Sequence, residues 1–181
     1  QLAKDKKTFK YNLIEEDARK RKYETPIEWL VSAGMVLASY KIKKPEIPLK
    51  VYIDEDMFKL YLSDVGLLTS ISEVNYPDIM LDRAFEFKGA ITENYIAQEF
   101  ASKDISLYYW TYGREAEVDF LLYNNDGIIP IEVKSGSSVK STSLNLYIQE
   151  NKPKYAIRIS SRNFGFENNI KSIPLYAAFL I

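Results

Sequence analysis

At 181 residues, 46% hydrophobic and 27% charged, the chain is built like a globular protein of one large or two small domains, not a disordered one. A formal net charge of -1 excludes a global basic field, so any grip on nucleic acid has to come from local patches. Cysteine and histidine are both absent, which excludes disulfides, thiol and imidazole catalysis and His-ligated zinc, and fits a reducing cytoplasm. Carboxylates, lysine, tyrosine and hydroxyls remain for chemistry, and a bound metal would be a hard, oxygen-liking one. No apolar stretch nears the roughly 18–20 residues of a membrane helix, no signal-peptide pattern opens the chain, and no Gly-rich phosphate loop suggests ATPase machinery. The opening Gln1, in place of Met, reads as a fragment or processed chain.

The N-terminal stretch is polar and basic (Lys4, Lys6, Lys7, Lys10, then 19–22), with a weak helical period over 9–21. Thr25-Pro26-Ile27-Glu28 predicts a helix start, with an N-cap threonine, a first-turn proline and an acid three residues on. Ile27, Leu30 and Val31 share a face, and Gly34 closes the helix. A strand over 35–40 and a returning strand at 51–53 flank a turn broken by Pro45 and Pro48. A further helix is predicted over 57–68, apolar at Phe58, Leu60, Tyr61, Leu62 and Val65 and closed near Gly66. Two helices and a basic hairpin over 1–76 resemble a small winged-helix-like α+β unit, a shape often used on DNA. Lys41, Lys43 and Lys44 read first as a solvated hairpin tip.

Residues 70–77 look like a connector, and 77–181 reads as a second domain of α/β order. It opens on a helical period over 83–101, marked by Phe87, Ala90, Ile91, Tyr95, Ile96 and Phe100. Strands follow at 107–111, 117–123 and 128–134, the last two joined by Asn124-Asn125-Asp126-Gly127, a strong hairpin signal. A helix through 144–150, a strand at 155–160 and an apolar, buried end at 173–181 complete the expectation. Tyr108, Tyr109, Trp110 and Tyr112 suit strand packing better than base stacking, and Lys154, Arg158 and Arg162 suit a charged surface better than a phosphate path.

The candidate chemistry sits on the paired strands. Side chains alternate along a strand, so Glu132 and Lys134 share one face while Ile131 and Val133 enter the core. Asp119 lies on the antiparallel neighbour, and a carboxylate from each strand can reach one Mg²⁺ or Mn²⁺. Lys134 would hold a scissile phosphate or favour an attacking hydroxide, and Glu93, from the preceding helix, would add a metal or water contact. Glu117, on the face of Asp119, is expected to form a rim salt bridge, for example with Arg114.

Glu132-Val133-Lys134, with Asp119 one hairpin upstream and Glu93 on the first helix, resembles the E-x-K core of the PD-(D/E)XK phosphodiesterase superfamily. A closer resemblance is carried by Trp29-Leu30-Val31-Ser32-Ala33-Gly34, Lys59-Leu60-Tyr61-Leu62-Ser63-Asp64-Val65-Gly66, Glu117-Val118-Asp119-Phe120, Ile131-Glu132-Val133-Lys134-Ser135-Gly136 and Asn163-Phe164-Gly165. These look like the domain of unknown function that follows an AAA-type ATPase in many bacterial and archaeal ATP-binding proteins, from Phe9 to the chain end. The resemblance implies a nuclease-like core acting on DNA, with catalytic Glu93, Asp119, Glu132 and Lys134, Mg²⁺ or Mn²⁺ on the three acids, and the ATPase as partner. The alternative is a catalytically silent module that binds nucleic acid or a partner and regulates the ATPase. Val118 replaces the superfamily's proline before Asp119, and no tyrosine lies four residues after Gln149, which departs from helicase-linked nucleases.

Overall fold

Helices and strands alternate along the chain between turns that its glycines, prolines and asparagines mark. The computed structural model describes residues 8–11, 14, 20–74, 76–80, 87–113, 116–137 and 141–181. In order, the elements are α1 (Lys20–Ser32), β1 (Val36–Ile42), β2 (Ile53–Leu62), α2 (Val65–Ile71), α3 (Tyr76–Met80), α4 (Lys88–Ala101), β3 (Tyr108–Tyr112), β4 (Ala116–Val118), β5 (Phe120–Asn124), β6 (Gly127–Val133), α5 (Thr142–Asn151), β7 (Ala156–Ser160), β8 (Gly165–Glu167) and β9 (Ile170–Pro174). Short 3-10 turns lie at Leu49–Tyr52 and Leu175–Leu180. No described helix is long and apolar enough to cross a membrane.

The strands form two mixed sheets, ordered β2-β1-β3-β4 and β5-β6-β7-β9-β8. β4 and β5 are one run of chain interrupted at Asp119, where the backbone leaves the first sheet and enters the second. The β5–β6 hairpin turns where expected, with Asn124 opposite Gly127 at φ +96, a conformation that suits glycine. From β6 the chain crosses over through α5 to a parallel β7, which pairs in parallel with β9. All five residues of β7 are buried, as a strand covered on both faces requires.

Two apolar clusters occupy the two faces. On one, Ile96, Ala97 and Phe100 of α4 pack against Phe120, Ile131, Val133, Ile157 and Ile159. On the other, Leu144 and Tyr147 of α5 pack against Val118, Leu121, Ala156 and Ile170. Each fully buried Leu, Ile or Phe side chain contributes about 1.5–3 kcal/mol. The N-terminal hairpin is stitched to the rest: β1 pairs antiparallel with β2 and in parallel with β3, through Tyr40 with Tyr108 and Lys41 with Tyr109. Asn94 of α4 fastens the end of β2, donating from Nδ2 to Leu62 O (2.9 Å) and accepting at Oδ1 from Leu62 N–H (2.8 Å). Gln98 accepts from the N–H of Val65 at 2.8 Å, one turn further along α4.

Four expectations change. The helix foreseen over 57–68 is strand as far as Leu62, and helix starts only at Val65, after Asp64 caps it by accepting from Leu67 N–H at 2.8 Å. Apolar residues crowd both faces of the end of β2, so its period imitates a helix. Thr25 does not begin a helix: α1 already runs from Lys20 and carries Pro26 inside, where the missing N–H removes one helical bond. The returning strand begins at Ile53, with 3-10 geometry at Leu49–Tyr52. At the chain end Ala177 and Ala178 are buried but Tyr176, Phe179 and Leu180 are exposed, since a 3-10 turn sends its side chains to different sides; Lys103 Nζ bonds the carbonyls of Phe179 and Ile181. Most of the helical period expected over 9–21, and Arg114, lie outside the described residues.

Candidate functional site

Alternation along β2 turns Lys59 and Tyr61 to one side, where both meet Glu93 of α4. Lys59 Nζ donates to Glu93 Oε1 at 2.9 Å and to Glu117 Oε1, on β4, at 2.5 Å. The Tyr61 hydroxyl donates to the same Glu93 oxygen at 2.6 Å. Lys59 is 2% exposed and Glu93 0%, and the ammonium lies 5.2 Å from the Tyr109 ring centre, a cation–π distance. Burial alone would pull the Lys59 pKa down, but Glu93, Glu117 and Asp119 outweigh it and hold the pKa well above the ordinary lysine value. Burial, reinforced by Glu93, likewise pushes the Tyr61 hydroxyl far up, so it stays a neutral donor. A buried ammonium is thus held by acids from two other elements.

Asp119, Glu132 and Lys134 meet differently. Asp119 sits at the break between β4 and β5, and its Oδ2 accepts from Val133 N–H at 2.7 Å, between the two other motif residues. Glu132 alternates away from Ile131 and Val133, whose side chains join the α4 cluster, and so lies on the α5 face. There its register partner is Arg158, which donates from Nε to Ser141 Oγ at 3.0 Å. Lys134 bonds Glu132 Oε1 at 2.5 Å, while Glu132 Oε2 is buried with no hydrogen-bond partner among the described residues.

The four anticipated residues therefore fall into two groups. Glu93 bonds Lys59, Glu132 and Lys134 pair with each other, and Asp119 accepts from Val133 N–H between those two while its charge is felt at Lys59. A divalent ion shared by Glu93, Asp119 and Glu132 does not fit this arrangement. Glu93 Oε1 is engaged by Lys59 and Tyr61, Glu132 lies on the opposite face, and no three acids among the described residues gather closely enough to hold a metal. The oxygen donors themselves are of the right chemistry; their placement is not.

The helix expected over 57–68 counts Tyr61 among its apolar residues and gives Lys59 no role, so the sequence does not mark the pair as polar partners of Glu93. The signal that finds them is a lone lysine inside the apolar run Met57-Phe58-Lys59-Leu60-Tyr61-Leu62, two residues from a tyrosine on the same strand face. Glu117 does pair with a cation, and Lys59 is one such partner. Of the aromatic run, Tyr109 and Trp110 are core, with Trp110 edge-on to Tyr147 at 5.0 Å, while Tyr112 is exposed.

A cleft of about 930 Å³ opens between α5 and the β8–β9 hairpin, within the ~300–1,000 Å³ typical of ligand sites. Asn145, Arg158, Arg162, Asn163, Phe164 and Phe166 line much of it. Phe164 and Phe166 are exposed, and Arg162 donates from Nε to Ser137 O at 2.9 Å, tying the cleft to the loop after Lys134. Glu167 is the acidic member of the lining. Lys154 lies apart, paired with Asp126.

A family model described as a domain of unknown function (DUF8612) matches residues 1–78. A second, also described as a domain of unknown function (DUF4143), matches residues 88–178. No curated protein and no solved structure matches the chain. The second model takes in just over half of the sequence, including β3 to β9 and every residue anticipated for the site, and the chain therefore belongs to the DUF4143 family.

Proposed function

We propose that this chain is a nuclease-like domain of PD-(D/E)XK type that binds nucleic acid without cutting it and serves an AAA-type ATPase as a regulatory module. The observation that carries the reading is the Lys59 ammonium bonded to Glu93, which engages an acid that a cutting centre would need for a metal. The nuclease kinship is supported by the order α4, β3, β4/β5, β6, α5, β7, with two antiparallel pairings followed by a parallel one. Nucleic-acid binding is supported by the cleft, where exposed Arg162 offers charge to phosphates and exposed Phe164 and Phe166 offer faces for bases. The tie to an ATPase rests on the motif resemblance alone. In this reading the β1–β2 hairpin is no free wing: its strands are committed to β3 and α4.

Metal-dependent phosphodiester hydrolysis is the second reading, and one observation favours it. The bond from Val133 N–H to Asp119 sets that acid beside the Glu132-x-Lys134 strand end, where Glu132 Oε2 is buried with no hydrogen-bond partner among the described residues. The two readings part in one assay on fluorescent single-stranded, double-stranded and branched DNA with Mn²⁺. Non-cleaving binding predicts a rise in anisotropy with intact DNA, a loss of roughly 5-fold or more in affinity for Phe166→Ala, and a shallower salt dependence for Arg162→Ala. Mn²⁺-dependent cleavage abolished by Glu132→Ala would replace it with the hydrolase.

A further inference from the structure

The β8–β9 hairpin closes on Asn168-Asn169, both at positive φ (50 and 61), a conformation that asparagine tolerates and a tight two-residue turn needs. Across this hairpin Gly165 is paired with Ser172, and alternation along the chain sends the two side chains that flank the glycine, Phe164 and Phe166, to one side. Both rings stand along the rim of the cleft. They are 56% and 66% exposed and lie outside both apolar clusters, so the fold spends neither of them. Same-side positions on an extended strand stand roughly 6.5 Å apart. A flat ring touched on both faces needs roughly 7 Å between its neighbours. The pair is therefore spaced to take one planar group between its rings.

Cations lie close by. Arg162, two residues before Phe164, is exposed and held through Nε to Ser137 O, which leaves its outer nitrogens to a ligand. Lys171 is the register partner of Phe166 and so shares its face, with the ammonium 3.5 Å from the Tyr155 ring centre. Resting on the nucleic-acid reading above, we propose that Phe164 and Phe166 clamp one unpaired base and make single-stranded DNA the partner of this surface, with Arg162 and Lys171 against the flanking phosphates. In a duplex both faces of a base are covered by its stacked neighbours, so the clamp closes only on a base outside a stack. A net charge of -1, and Glu167 next to the pair, keep the general pull on phosphates weak. Base faces, not the number of phosphates, then set the affinity.

The test reads fluorescence anisotropy with the whole chain and labelled ligands of about 12 nucleotides. One is a mixed-sequence strand, one the same strand annealed to its complement, and one a strand in which abasic sites replace the bases. The mixed strand is expected to bind at least about 10-fold more tightly than the duplex or the abasic strand. Phe164→Ala and Phe166→Ala are each expected to lose roughly 5-fold or more on the mixed strand, and Phe166→Trp to keep its affinity. Circular dichroism checks that these surface variants stay folded. Equal binding of the mixed strand and the duplex overturns the clamp and leaves nucleic-acid binding standing. So does equal binding of the abasic strand, or a mixed-strand affinity that either alanine variant leaves untouched. A chain that binds none of these ligands overturns the clamp and the nucleic-acid reading together.

Discussion

Lys59 meets Glu117 and Lys134 meets Glu132 at the same 2.5 Å, yet the lysine of the first pair is 2% exposed and that of the second 32%. Lys59 also bonds Glu93, lies near the Tyr109 ring and feels Asp119, so its charge is shared among groups from three elements. Lys134 stands just past the end of β6, beside a loop, with water on part of its head. Contact distance thus says little about what an ion pair does. Burial and the number of partners set how deeply a lysine is built into the fold, and here Lys134 is the more exposed of the two.

Three measurements would sharpen or break that contrast. The largest effect is expected for Lys59→Met, which takes the ammonium away from the buried Glu93 carboxylate and should lower unfolding free energy by about 3–5 kcal/mol in urea titrations. A loss under about 1 kcal/mol would mean that water already reaches the centre. Next comes alkaline pH. Lys59 and Tyr61 both have folded-state pKa values raised above their ordinary 10.5 and 10.0, so above roughly pH 10 the unfolded chain releases protons that the folded chain keeps. Stability is therefore full at neutral pH and falls as pH rises, by up to about 1.4 kcal/mol per pH unit for each group. Lys59→Met and Tyr61→Phe should each flatten that fall; an unchanged slope in both would remove these groups as its cause. The smallest effect is Lys134→Ala, expected to change stability by about 1 kcal/mol or less, since a partly exposed pair is screened.

Legibility in the sequence followed the physics of each segment. The β5–β6 hairpin was readable because Asn124 to Gly127 carries turn chemistry that acts locally, and Glu132 and Lys134 were readable because their spacing fixes a shared face. The end of β2 was not. A strand covered on both sides loses its polar–apolar alternation, and only tertiary cover, from α4, tells it from a helix. The same blindness hid Lys59, since a lysine is normally read as solvated and its partners lie 34 and 58 residues away. Glu93 reads in the sequence as a metal or water contact, and its distance from Lys59 along the chain hides that it bonds an ammonium.

The parallel seam between β1 and β3 bears on how this molecule can be taken apart. A fragment beginning near residue 88, the start of the DUF4143 match, would bare the backbone edge of β3 and remove the Lys59 ammonium that bonds Glu93 and Glu117. An unprotected edge invites pairing with another chain, so the excised half would tend to self-associate. Anyone trimming this protein for solubility, or grafting its second half onto another carrier, inherits the hairpin as an obligatory companion.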